Sequence, residues 1–115
     1  MQQLKTSSLG QLGLAPPEPL WKRVPTRDAE GKLLGDFMML IPGLNKLTAV
    51  HLRQVIMQLE QAFGLYQEFV VFADLNAEKN VLWVSHRQRP GIGLELAAVI
   101  HEIIPAAKLV AHRYE

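Results

Sequence analysis

The sequence contains no cysteine and no excess of charge of either sign. The missing cysteine excludes disulfides, a thiolate nucleophile and thiolate metal sites, and it is compatible with the cytoplasmic location that we expect. The charges nearly cancel, since 12 Lys and Arg residues stand against 11 Asp and Glu residues and leave a net charge of +1. A chain with this balance does not capture nucleic acid through its overall charge, so any charge-dependent function must be local.

Long apolar runs are missing as well. None approaches the ~20 residues that a membrane span requires, and the start of the chain lacks the basic and apolar blocks of a signal peptide. We therefore expect no membrane association. What is present suffices for one folded domain, because 49% of the 115 residues are hydrophobic and the length allows a single core.

The first part of the chain differs in composition from the rest. Residues 1–20 contain scattered leucines without a sustained period and several prolines near their end, which indicates a mobile or peripherally packed arm. Residues 21–115 form one predicted α+β domain. Within it, the stretch from Trp21 to Thr26 is a candidate extra edge strand, because Pro25 is tolerated mainly at the edge of a sheet.

The remaining segments alternate between strand and helix patterns. The run "LLGDFMMLI" predicts a strand, and apolar residues at steps of three and four predict a helix between Thr48, a natural N-cap, and Gly64, a natural stop. The runs "EFVVFAD" and "VLWVSH" predict a β-hairpin. A second helix in "LELAAVIHEIIP" ends at Pro105, and "AKLVAHRYE" predicts a last strand.

From Phe37 onward the predicted order is strand, helix, strand, strand, helix, strand. This is the βαββαβ plan of a ferredoxin-like sandwich, with two helices on one face of a four-stranded antiparallel sheet. In it we expect the first and third strands to be central and parallel to each other. The plan hosts many functions, and two of its known variants lack their marks here. The heavy-metal variant needs paired cysteines, and the RNA-recognition variant needs a glycine-aromatic signature where "NVLWVSH" has only Trp83.

The strand sequences are apolar on both faces. Strict alternation places Phe69, Val71 and Ala73 on one face and Val70 and Phe72 on the other. Helices cover only one face, so the second needs another cover, and we expect a homodimer in which these faces meet. The alternative cover is the N-terminal arm, whose large apolar residues are Leu9, Leu12, Leu14, Leu20 and Trp21.

Basic residues and glycines stand where the third strand passes into the second helix, in "SHRQRPGIG". With parallel first and third strands, both helices would begin at the same rim, where free backbone N–H groups favour an anion. The candidate anion site consists of Lys46, His51, His86, Arg87, Arg89, Gly91 and Gly93. The competing interpretation is a solvated turn, because no complete phosphate-binding glycine motif is present.

No metal site or cofactor is predicted. We expect His86 and His112 at opposite ends of the sheet, too far apart to share a metal. His101 is followed four positions later by Pro105, where a helical zinc motif would need its second histidine. A hydrogen-bonded packing role is therefore the interpretation for His101.

Three functions are compatible with these observations. The leading hypothesis is a small non-enzymatic binding or regulatory domain, homodimeric, whose basic rim accepts an anionic metabolite or partner protein. The second is a dimeric enzyme in which His51 or His86 acts as a general base inside an enclosed cavity. The third is a structural subunit of a larger assembly. RNA binding is disfavoured, because both the charge and the aromatic signature are missing.

Overall fold

A computed structural model of the chain describes residues 5–6 and 27–113. The regular elements in chain order are β1 (Lys5–Thr6), β2 (Gly35–Leu40), α1 (Ala49–Leu65), β3 (Val70–Asn76), β4 (Val81–His86), α2 (Ile92–Ile103) and β5 (Lys108–Arg113). From β2 onward, this is the predicted ferredoxin-like α+β order. Apart from β1, the predicted arm lies outside the described residues, and so does the candidate edge strand from Trp21 to Thr26.

The five strands form one sheet in the order β1, β3, β4, β2, β5. Strand β1 runs parallel to β3, and all other neighbours are antiparallel. The central strands β2 and β4 are antiparallel, with Gly35 opposite His86 and Leu40 opposite Val81. Our expectation that these two strands are parallel is therefore wrong. Helix α1 returns the chain so that β2 and β3 run the same way, and the hairpin then reverses β4.

Two bulges interrupt the strict alternation of side chains. In β3, Val70 pairs with His86 and Phe72 pairs with Ser85, so Val71 is an extra residue. The bulge places Val70 on the same face as Ala73 and separates it from Phe72, which corrects the expected alternation. In β5, Val110 is the extra residue, because Leu109 and Ala111 pair with successive residues of β2.

The core lies between the sheet and the two helices. Leu59 and Phe63 of α1 and Leu96 and Ile100 of α2 are at most 1% exposed. The strand residues packed in the same cluster are Phe37, Met39, Val70, Ala73, Leu75, Leu82 and Val84. Both helices therefore cover one face, as the sequence predicts.

In the parts of the chain that the structure describes, no helix combines the length and apolarity that crossing a bilayer would require.

Local hydrogen bonds explain where α1 begins. The Thr48 hydroxyl accepts the backbone N–H of His51 at 3.3 Å, which confirms Thr48 as the N-cap. The helix continues through Gly64 to Leu65, because Gly64 does not adopt the left-handed conformation of a terminating glycine. A short 3-10 turn, Leu44–Lys46, precedes the cap.

Candidate functional site

The antiparallel central strands divide the predicted anion site between two rims of the sheet. We call them the Leu40 rim, where β2 ends and β4 begins, and the His86 rim, where β4 ends and β2 begins. Helix α1 starts beyond the Leu40 rim and α2 beyond the His86 rim. The expected convergence of both helix starts is therefore wrong. Lys46 and His51 lie at the Leu40 rim, and the other five residues of the predicted site lie at the His86 rim, namely His86, Arg87, Arg89, Gly91 and Gly93.

At the Leu40 rim, His51 belongs to the start of its own helix. Its Nδ1 lies 3.1 Å from the Thr48 hydroxyl, which already caps the helix. Lys46 is exposed at the end of the 3-10 turn. The turn is tied to the β3–β4 loop by a hydrogen bond of 2.7 Å from the Asn45 N–H to the Asn80 side-chain oxygen. The rim is held by these contacts, and Lys46 extends from it into solvent.

His86 is fully buried rather than directed into the rim. Its Nδ1 donates to the carbonyl oxygen of Arg87 at 3.0 Å, since a carbonyl can only accept. Its ring lies 5.9 Å from the Phe37 ring between centroids, and its Nε2 has no hydrogen-bond partner in the described part of the chain. The imidazole is thus a packing group of the core. It cannot work with His51, which lies at the opposite rim.

His86 and His112 lie at the same end of the sheet, which contradicts the expected separation. They pair with Gly35 and Phe37, two positions apart on β2. Across residues 5–6 and 27–113, no group of three or more potential ligands could hold a metal ion. His101 donates from Nδ1 to the Ala107 carbonyl at 2.9 Å, which gives it the predicted hydrogen bond, although its side chain is exposed.

Arg87 is used to fasten the loop at the His86 rim. Its Nη1 donates to the Glu68 carbonyl at 2.9 Å, and its backbone N–H donates to the Phe69 carbonyl at 2.7 Å. The loop after β4 is thereby joined to the segment just before β3. The guanidinium has a structural partner that no feature of the local sequence predicts.

Arg89 belongs to a small polar network around Glu95 in the first turn of α2. Its Nη2 donates to Glu95 at 3.2 Å, and its guanidinium carbon lies 4.8 Å from the centre of the Phe69 ring. The Tyr66 hydroxyl donates to the other Glu95 oxygen at 2.8 Å. The hydrogen bonds from Tyr66 and then Arg89 hold the pKa of the Glu95 carboxyl below its ordinary value. The same Glu95 bond raises the pKa of the Tyr66 phenol.

The two glycines of the predicted site serve the start of α2. Gly91 is the N-cap with φ of 76°, a left-handed conformation that favours glycine, and Gly93 is buried in the first turn. The Arg89 charge is already compensated by Glu95 beside this helix start. Anion binding by residues of the predicted site stays a prediction, now for two separate rims.

The second face of the sheet is less apolar than predicted. Asp36, Asp74 and Ser85 lie on it and are at most 6% exposed, together with the 5% exposed Phe72. The part of the second face formed by these four residues is therefore already buried in a single chain. Elsewhere on this face, Leu40 of β2 is 37% exposed, and Ala111 of β5, the partner of Met38, is exposed. The face offers a second copy less apolar surface than the sequence suggests.

The outer face of α1 is a surface that the sequence analysis did not single out. Val50, Met57 and Leu65 are 62%, 54% and 85% exposed there. Among the exposed residues of this helix, Arg53 alone carries a formal charge. A groove of about 470 Å³ runs along the same helix. It is lined by Leu47, His51, Gln54, Val55, Met57, Gln58 and Gln61.

A signal for this surface was present in the sequence. Val50, Met57 and Leu65 fall outside the three- and four-residue period of the buried residues, so a helical projection places them toward solvent.

No family model, curated protein or solved structure matches this chain.

Proposed function

We propose that this protein is a small non-enzymatic interaction domain that works as a homodimer, with the outer face of α1 as the contact between the two copies. The observation that carries the proposal is the exposure of Val50, Met57 and Leu65 on one side of a single helix. At 100° per residue, the three side chains point within about 80° of one another. Single exposed apolar residues are ordinary, whereas a grouped set with little charge is typical of an interface.

The charges on α1 favour a second copy of the same chain as the partner. Arg53 and Glu60 are seven positions apart, or about 10 Å along a helix, so they do not pair with each other. Neither takes part in an ion pair within the described part of the chain. A second α1 supplies a carboxylate for Arg53 and a guanidinium for Glu60. One sequence thus provides both halves of the charge complementarity.

The size of the contact indicates a reversible dimer. A helix of 17 residues is about 25 Å long, and one helix face is a small area on the scale of stable interfaces. We therefore expect dissociation on dilution rather than an obligate dimer. The monomer has its own core between the sheet and the helices, which is compatible with a folded dissociated chain.

The test is a measurement of solution mass over a wide range of protein concentration, by light scattering and sedimentation. The wild-type chain should change from monomer to dimer as the concentration rises. Met57→Glu should remain monomeric, because two carboxylates would be buried at the contact. The matched control is Leu94→Glu on α2, where the original side chain is 52% exposed, and it should dimerise like the wild type.

Circular dichroism of each variant establishes that the fold is intact. A wild-type chain that stays monomeric up to about millimolar concentration would refute the proposal, since a weaker contact has no functional meaning. Equal dimerisation of Met57→Glu and wild type would move the contact away from α1 and refute it as well.

A further inference from the structure

We infer that the two copies pair through antiparallel α1 helices related by a two-fold axis beside Met57. This inference rests on the proposed function, because it specifies the arrangement of that same contact. An isologous contact requires a surface that is complementary to itself after a rotation of 180°. The outer face of α1 meets this requirement in three respects, which concern its central line, its charges and its most exposed side chain.

The central line of the face consists of residues spaced by seven. Val50, Met57 and Gly64 project in nearly the same direction, because seven residues are almost two helical turns. An antiparallel two-fold axis at Met57 places Val50 opposite Gly64 of the second copy. A Cβ at Gly64 would meet nothing within 4 Å among the described residues, and its backbone is not left-handed. The described part of one copy thus gives no reason for a glycine here, whereas close approach of Val50 from a second copy does.

The charged residues lie on one side of this line and the glutamines on the other. Relative to Met57, Arg53 and Glu60 are rotated by about −40° and −60°, and Gln54 and Gln61 by about +60° and +40°. In an antiparallel pair, equal sides of the two helices face each other. Arg53 therefore meets Glu60 of the second copy, and the axis repeats this ion pair. On the other side, Gln54 meets Gln61, and both amides can donate and accept.

A parallel pair would not satisfy these groups. It would bring the charged side of one helix against the glutamine side of the other, so that Arg53 and Glu60 would stay without opposite charges. The sequence separation supports the antiparallel arrangement directly, since Arg53 lies four residues before Met57 and Glu60 lies three residues after it. The two charges are thus nearly symmetric about Met57. An antiparallel pair centred on Met57, in which residue n of one copy faces approximately residue 114 − n of the other, places them opposite each other.

The antiparallel arrangement also covers the most exposed apolar side chain of α1. Leu65, 85% exposed, lies on the glutamine side of α1, where the groove opens. In the antiparallel register it faces the beginning of α1 in the second copy, close to Leu47 and His51 at one end of that groove. The same rotation that pairs the charges therefore covers Leu65.

Charge reversal tests the arrangement. Arg53→Glu and Glu60→Arg should each raise the dissociation constant roughly tenfold, because each creates two like-charge contacts per dimer. The double variant Arg53→Glu with Glu60→Arg should return to near the wild-type value, since the pairs are restored with their signs exchanged. Glu102→Arg, an exposed reversal on α2, is the matched control and should change nothing. Urea unfolding of each variant excludes loss of the fold as the cause.

Single cysteines give an independent readout, because the native chain contains none. Met57→Cys should form a disulfide-linked dimer on mild oxidation, as its two copies lie beside the axis. Val50→Cys should not link to itself, since its copies would be about 21 Å apart, but it should link to Gly64→Cys when the two variants are mixed.

The outcomes separate the inference from the function on which it rests. Self-linkage of Val50→Cys, or a double reversal that fails to restore dimerisation, would overturn the antiparallel arrangement while the Met57→Glu result still supports a dimer through α1. Absence of any wild-type dimer would overturn both. Restoration by the double reversal, together with linkage at Met57, would establish the axis.

Discussion

The two helices share a pattern on their inner faces and differ on their outer faces. Both bury apolar residues against the same side of the sheet. On α2, Glu95 accepts from Tyr66 and Arg89, and His101 donates to Ala107, whereas the exposed Glu102 takes part in no hydrogen bond or ion pair among the described residues. On α1, Arg53 and Glu60 form no such pairs within the described residues. The unpaired charges of α1 therefore have opposite signs, which a second copy could match, whereas the one unpaired charge of α2 among the described residues is the Glu102 carboxylate.

The two helices are expected to differ on their outer faces only. Core substitutions test whether their inner faces contribute equally to the stability of the fold. Leu59→Ala on α1 and Leu96→Ala on α2 remove side chains that are 0% and 1% exposed. Each should lower the free energy of unfolding by about 3 kcal/mol, through lost burial and the cavity left behind. Urea unfolding at a concentration where the chain is monomeric measures both. A loss below about 1 kcal/mol at Leu59 alone would mean that α1 is only loosely docked.

Substitutions at the two helix N-caps should lower the free energy of unfolding by less than the core substitutions do, and for different reasons in α1 and α2. Thr48→Ala should cost about 1 kcal/mol, because a backbone N–H of α1 loses its acceptor, and Thr48→Ser should restore most of it. Gly91→Ala should cost about 1 kcal/mol for a different reason, since alanine is strained at φ of 76°. Thermal unfolding of the three variants distinguishes these causes. If Gly91→Ala were as stable as the wild type, the left-handed cap of α2 would be disproved.

The smallest expected effect concerns the network on the outside of α2. The pKa of Glu95 is lowered in the folded chain, so its contribution to stability is present above its ordinary pKa of 4.5 and is lost as the pH falls through the folded value. Glu95→Gln should therefore melt below the wild type at neutral pH, and the difference should disappear in acid. Glu102→Gln, an exposed change on the same helix, is the control. A difference that persisted unchanged in acid would show that the Glu95 charge is not its source.

The order of elements could be predicted from the sequence, because hydrophobic periodicity and local caps determine it. Thr48 and the apolar repeat after it are visible without any tertiary information. The direction of β4 could also have been derived, since a hairpin always reverses the chain. The incorrect parallel arrangement placed Lys46 and His86 at one rim. The bulge at Val71 gives no sign in an apolar run, because no residue there demands an unusual backbone conformation.

The candidate site was less accessible to sequence reasoning. The partners of Arg87 and Arg89 lie on other elements, and their contacts exist only once β3 and α2 are docked. A basic loop therefore reads as an anion site until these acceptors are known. The α1 surface could be seen in part, since Val50 and Met57 stand outside the core period. Its significance depends on how exposed these side chains are in the folded chain, which a helical projection does not provide.

Strand β5 would limit how far the proposed dimer can grow. It ends the described sheet with one neighbour, β2, and carries Lys108 at its start and the bulge at Val110. A charged, bulged edge is a poor template for another strand, which disfavours extension of the sheet through β5. In a two-fold contact through α1, both contact surfaces are buried in the dimer, and none is left for a third copy. Together, these features favour a closed particle of two chains over a fibre.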